Sequence, residues 1–138
     1  MNFINKMRIF TTNYAKQFKY KLSIVSGKFE YLKINNLSQA VEFIEFGMVK
    51  ESYHRLKIIL TLWPNEEQAK YLLALVYILL RENKKASNLL KDIKNYKVNY
   101  SEKLLDIINK NKVEKIIETY KSTYNINEIE NEIYKIAI

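Results

Sequence analysis

Two glycines and one proline stand in a chain of 138 residues. An all-β domain needs a turn about every 8 to 12 residues, built largely on residue types that tolerate positive φ or fix it. Long helices need almost none, so the scarcity points to an all-α fold. A chain of 138 residues fits one domain, and at that size roughly 70% of the surface exposed by the unfolded chain is buried. Cysteine is absent, which removes disulfides and thiolate metal sites and leaves the redox compartment open. Packing has to supply the stability.

Helical spacing organises the middle of the chain. Asn36 with Gln39, and Asn65 with Gln68, each place a capping side chain three residues ahead of a glutamine, the arrangement that satisfies free N–H groups at a helix start. The first start precedes Leu37, Ala40, Val41 and Ile44 and a break at Gly47; the second precedes Leu72, Leu73, Val76, Tyr77 and Leu80 and a break at Glu82-Asn83. A second stripe follows each break: Tyr53, Leu56, Ile59, Leu60 and Trp63 up to Pro64, then Ala86, Leu89, Leu90 and Ile93. The unit is a helical hairpin, present twice. The longest apolar run, Tyr71 to Leu80 between Lys70 and Arg81, is about half of what a helix needs to cross a bilayer. It reads as a buried core helix, and no transmembrane segment is expected.

A shift of 34 residues pairs Ala40 with Ala74, Phe43 with Tyr77, Ser52 with Ala86, Leu56 with Leu90 and Ile59 with Ile93. In this the chain resembles the tetratricopeptide-repeat (TPR) family, whose period is 34 residues. Ala40, Phe43, Ser52, Leu56 and Pro64 match the family motif in the first copy, and Leu73, Ala74, Tyr77, Ala86 and Leu90 in the second. The copies diverge from it: Asn36 and Lys70 stand where an aromatic is expected, Ile59 and Ile93 replace a small residue, and Val98 replaces the second proline. The resemblance implies a TPR-like right-handed α-α superhelix of two divergent hairpins with flanking N- and C-terminal helices. The expected division is a basic helical arm (1–32), two repeats (33–66 and 67–98) and C-terminal capping helices (99–138). The caps would use Leu104, Leu105, Ile107 and Ile108, then Ile116, Ile117 and Tyr120, then Ile126, Ile129, Ile133 and Ile136, because terminal repeats need a cover.

Chemistry is sparse. One histidine and no phosphate-binding glycine loop leave no set of nucleophile, base and orienting group, so no enzyme, cofactor or metal is expected. His54 falls on an outward position, Ser26-Gly27-Lys28 reads as a hinge, and Glu42, Glu45, Glu66 and Glu67 read as solvated or first-turn carboxylates. The TPR resemblance implies a concave face lined by Leu37, Val41, Ile44 and Glu45 from the first repeat and by Gln68, Tyr71, Leu75, Ile78 and Leu79 from the second. TPR domains that hold acidic chaperone tails carry Lys and Asn where Leu37 and Val41 stand, so the expected ligand is an apolar segment or amphipathic helix of another protein. The chain's own N-terminal helix, or a second copy in a homo-oligomer, could fill the same face.

Charge is uneven. Lys6, Arg8, Lys16, Lys19, Lys21, Lys28 and Lys33 against Glu30 give residues 1–35 a charge of +6, leaving +2 of the total +8 for the rest. Such an arm attracts anionic partners, and an anionic membrane surface stays open as a partner. Nucleic acid is disfavoured because the arm holds a single arginine, the usual reader of bases and phosphates. The arm also has the look of an organelle transit peptide, the alternative to the expected cytoplasmic location, and no apolar core of a secretory signal is found in it. By size and architecture the chain is similar to small TPR-type chaperones of type III secretion. An adaptor and a structural subunit of a larger complex are the other readings.

Overall fold

The computed structural model describes residues 26–137, with side chains from Phe29 onward. Lys6, Arg8, Lys16, Lys19 and Lys21 of the basic arm therefore lie outside the described residues, as does the side chain of Lys28. Seven helices and no strand form within them: α1 (Ser26–Glu45), α2 (Val49–Leu62), α3 (Glu67–Leu79), α4 (Asn83–Lys91), α5 (Val98–Asn109), α6 (Val113–Thr123) and α7 (Ile126–Ile136).

α1 begins ten residues before Asn36, the expected cap. Asn36 instead sits buried inside the helix, where its amide donates to the Leu32 carbonyl at 2.8 Å and accepts from the Arg55 guanidinium at 3.2 Å. The extra turns are held from the far side: Phe29 lies against Trp63 at 4.6 Å between ring centroids, and Lys33 bridges to Glu66 at 3.3 Å. Ser26-Gly27-Lys28 consequently belongs to the first turn of a continuous helix rather than to a hinge. Asn65 is also no cap; Glu66 precedes α3 and makes no side-chain capping bond. Asn125 does cap, accepting from the Glu128 N–H at 3.1 Å at the start of α7.

The first helices of the two hairpins, α1 and α3, end alike, and so does α5. Gly47 donates to the Ile44 carbonyl and Met48 to Phe43; Arg81 donates to Ile78 and Glu82 to Tyr77; Asn111 donates to Ile108 and Lys112 to Ile107. Each is a Schellman turn with its C′ residue in the left-handed region, at φ 77° for Gly47, 63° for Arg81 and 55° for Asn111. Seven residues before each lies a buried Ala40, Ala74 or Leu104, and five after it a buried Ser52, Ala86 or Ile116. In the first hairpin these positions meet, the Ser52 hydroxyl donating to the Ala40 carbonyl at 2.9 Å, a closeness that larger side chains would prevent. The spacing is 34 from Gly47 to Arg81 but 30 from there to Asn111. The shortfall comes from α4, which stops at Lys91 because residues 93–97 turn away to meet the Glu67 carboxylate.

α3 is the centre. Tyr71 to Ile78 are buried without interruption, as expected for a helix that is apolar all round, and α1, α2, α4 and α6 pack on it. α5 packs on α4 and α7, and α6 on α7 and α3. α6 runs crosswise: Glu114 in its first turn pairs with Arg81 at the second hairpin turn, while Tyr120 near its end donates to the Ile44 carbonyl at the first.

Candidate partner-binding cleft

Of the nine residues expected to line an open concave face, Leu37, Ile44, Tyr71, Leu75 and Ile78 are core residues. Val41, Gln68 and Leu79 are half-buried and Glu45 is exposed. Among the described residues the cover is the chain itself, through α6 and α7. α6 lies on α3, the Tyr120 hydroxyl reaches the Ile44 carbonyl at 2.6 Å, and the Tyr71 hydroxyl donates to Glu130 of α7 at 2.6 Å. A glutamate placed at Leu75 or Ile78 would thus bury an unpaired charge and unfold the helix bundle instead of blocking a groove.

Glu130, Tyr71 and Lys97 are tied together in this closure. Glu130 accepts from Tyr71 and from the Lys97 ammonium at 2.7 Å. Lys97 lies over the rings of Tyr71, Tyr96 and Tyr100, at 5.2, 5.7 and 5.7 Å from their centroids. Burial, then the hydrogen bond to Glu130, drives the Tyr71 hydroxyl pKa far above the ordinary tyrosine value. Burial opposes the charge of Lys97, but the hydrogen bond and attraction of Glu130 outweigh it and raise the ammonium pKa. Glu67 accepts three backbone N–H bonds, from Lys94 at 3.0 Å, Asn95 at 2.7 Å and Tyr96 at 3.0 Å. Those bonds, that of Lys94 foremost, lower its pKa. Among the described residues no group of His, Cys, Asp and Glu could hold a metal ion, and no helix is long and apolar enough to cross a membrane. His54 is exposed, with its ring edge-on to Tyr53 at 5.3 Å.

One open cleft, of about 410 Å³, lies where α2, α3 and α4 meet. Its apolar lining comes from Leu60, Leu73, Tyr77 and Leu89, and its cationic lining from Lys57, Lys70 and Lys85, with Asp92 as the acidic contribution. None of the three lysines is within ion-pair distance of a carboxylate among the described residues; Lys85 sits 5.8 Å above the Tyr77 ring. Tyr77 is held neutral by burial and then by its neighbour Tyr53, whose ring stands at 5.9 Å. Apolar side chains and uncommitted ammonium groups on one open surface suit an anionic, partly apolar chain segment. A signal for it exists in the sequence: each of the three helices carries a lysine three or four residues before a leucine (Lys57 and Leu60, Lys70 and Leu73, Lys85 and Leu89). Comparison with protein-family models, with curated proteins and with solved structures finds no match for the chain.

Proposed function

We propose that this protein is a TPR-like helical-repeat binding module, without catalysis of its own, that holds an acidic amphipathic segment of another protein in the α2–α3–α4 cleft. The observation that carries the reading is the pairing of three uncommitted lysines with a leucine and tyrosine lining in one open cleft. Recurrence of the same turn at Gly47, Arg81 and Asn111, with small or apolar residues in step around it, supports a repeat scaffold. Such scaffolds present surfaces rather than reaction centres. An adaptor or chaperone role for an exported or assembling partner fits this reading, with the partner on the lysine cleft and α6 and α7 left in place. Opposite charge steers encounter and selects the segment, while its apolar side chains enter between the helices.

A fluorescent amphipathic peptide of about 15 residues, roughly four helical turns, with leucines on one face and glutamates beside them, is the probe. Anisotropy should report binding that weakens with added salt and drops about tenfold in the Lys57→Glu/Lys85→Glu double variant, the size expected for charge reversal at an interface rim. Lys112→Glu/Lys115→Glu, at the start of α6, should bind as the unaltered protein does. Equal binding of a peptide with every glutamate replaced by lysine would remove the cleft from consideration.

A further inference from the structure

The Lys97 ammonium sits in a seat assembled from α3, α5, α7 and the loop that leads into α5. It lies over the rings of Tyr71, Tyr96 and Tyr100, at 5.2, 5.7 and 5.7 Å from their centroids, and donates to Glu130 at 2.7 Å. Glu130 is 6% exposed and also accepts from the Tyr71 hydroxyl at 2.6 Å, so its carboxylate is held in place independently of the cation. The rings are held too: Tyr96 stands edge-on to Tyr71 at 5.8 Å and Tyr100 edge-on to Tyr134 at 5.0 Å. An ion pair alone would need only the carboxylate. Three ring faces on one nitrogen with a buried carboxylate behind them are what recognition of an alkylammonium uses.

The tether that delivers this ammonium is strained. Lys97 has φ 46°, in the left-handed region where an L side chain is penalised and glycine is not. It stands at the start of a helix, whereas Gly47, Arg81 and Asn111 each follow the end of one. A side chain kept where glycine would fit without strain is offset by what it reaches, which here is the seat. The Lys97 side chain is 32% exposed, so withdrawing it opens the seat toward solvent.

We propose that Tyr71, Tyr96, Tyr100 and Glu130 form a binding site for a primary alkylammonium, occupied by the chain's own Lys97 as a tethered ligand, and that a foreign ammonium takes the seat when Lys97 leaves it. Glu130 selects the class of amine: its hydrogen bond requires an N–H, which a quaternary ammonium lacks. The ring faces and the carboxylate together select against a neutral alcohol of the same length. With Lys97 seated, the loop before α5 is fastened to α3 through the three N–H bonds of Glu67 and to α7 through Glu130. The role is independent of what the lysine cleft binds.

Lys97→Gly empties the seat and relaxes the backbone at the same time, so this variant is expected to fold. Its thermal unfolding is followed by circular dichroism with n-butylammonium chloride, tetramethylammonium chloride or 1-butanol, at an ionic strength equalised with sodium chloride. Butylammonium, at about five times its dissociation constant, should raise the Tm by roughly 3–5 °C over salt alone. The quaternary ion and the alcohol should not, and butylammonium should leave the unaltered chain and Lys97→Gly/Glu130→Gln where they were. No shift in Lys97→Gly, or the same shift in the unaltered chain or with 1-butanol, would overturn the proposal. Competitive acetylation of the unaltered protein, mapped by mass spectrometry, decides the question without that variant. Lys97 should react about tenfold more slowly than the exposed Lys94, because the seated ammonium has to leave and lose its proton first, and the gap should shrink in Glu130→Gln. Acetylation of Lys97 as fast as of Lys94 would mean that the seat does not hold it.

Discussion

Replacing Glu130 by alanine removes the point at which α7 is fastened to α3. The Tyr71 hydroxyl, buried completely, loses the acceptor it holds at 2.6 Å, and an orphaned buried hydroxyl costs about 1–3 kcal/mol. Lys97 loses its counter-charge too, but its side chain is 32% exposed and the ammonium turns to water, so this adds only about 1 kcal/mol. The expected destabilisation is therefore about 2–4 kcal/mol. Glu130→Gln keeps an acceptor for Tyr71 and should cost about half as much. Tyr71→Phe leaves Glu130 paired with Lys97 and should cost about 1–2 kcal/mol. Urea unfolding followed by circular dichroism, extrapolated to water, gives each value. In the double variant Tyr71→Phe/Glu130→Ala the losses should fall short of their sum by at least about 1 kcal/mol, because each single change already breaks the same bond. Additivity to within roughly 0.3–0.5 kcal/mol would refute the claim that this hydrogen bond couples the two helices.

Three further perturbations follow from the same geometry. Gly47→Ala forces a side chain into φ 77° and sets its Cβ 3.1 Å from Tyr124 Cζ; the left-handed penalty alone is about 1–2 kcal/mol, so a loss of that size or more is expected in the same urea assay. Tyr120, pushed up to about 12 by burial and by Tyr124, stays protonated in the folded chain where the unfolded chain ionises near pH 10; stability is whole below about pH 10 and falls by roughly 1.4 kcal/mol per pH unit above it. Tyr120→Phe should make that alkaline limb shallower by about this one group's share in melts taken between about pH 9 and 12, the share of Tyr71 remaining. Glu67 is lowered below the ordinary carboxylate value, so its contribution is present above that value and disappears as pH falls through the depressed one; Glu67→Gln should remove this acid-side slope, and an unchanged slope would show that its three N–H bonds are made equally by the unfolded chain.

The two hairpins and the central helix were legible because their signals are local. A run from Tyr71 to Leu80 without a charge points to a surrounded helix, and Tyr71 to Ile78 are buried, while Ala40, Ser52, Ala74 and Ala86 keep step because close helix approach demands small side chains. The turn between α5 and α6 is the same but hides from a fixed shift, since α4 is cut to nine residues, Leu104 and Ile116 replace the small pair, and the two helices pack on other partners than each other. Helix starts misled for a related reason: Asn36 has the composition of a cap, yet Phe29 and Lys33 find partners at Trp63 and Glu66 and pull the helix back to Ser26. The concave face was the hardest part. Leucine and isoleucine on α1 and α3 look the same whether they await another protein or the chain's own C-terminal helices, and only the crossing contacts of Glu114, Tyr120 and Glu130 tell the two apart. The lysine cleft is assembled from three separate helices, so its pattern becomes visible only when they are brought together.

Magnitudes decide which face is left for a partner. To occupy the expected concave face, a ligand would have to lift α6 and α7 away, breaking the Tyr120–Ile44, Tyr71–Glu130 and Arg81–Glu114 contacts. It would also expose buried Ile116, Ile117, Ile129 and Ile133, each worth about 1.5–3 kcal/mol when buried. Even if the two helices kept half of that burial between themselves, the loss from apolar surface is roughly 3–6 kcal/mol, and the three polar contacts raise it by about 1 kcal/mol each. A segment that bound the bare face with a 1 μM constant gains about 8 kcal/mol. Nearly all of that would be consumed in opening the fold, leaving at most about 2 kcal/mol, weaker than the roughly 4 kcal/mol of a millimolar complex. A ligand in the α2–α3–α4 cleft opens nothing and keeps its whole binding free energy, which is why the surface with uncommitted lysines, and not the one with more apolar residues, is where capture is to be sought.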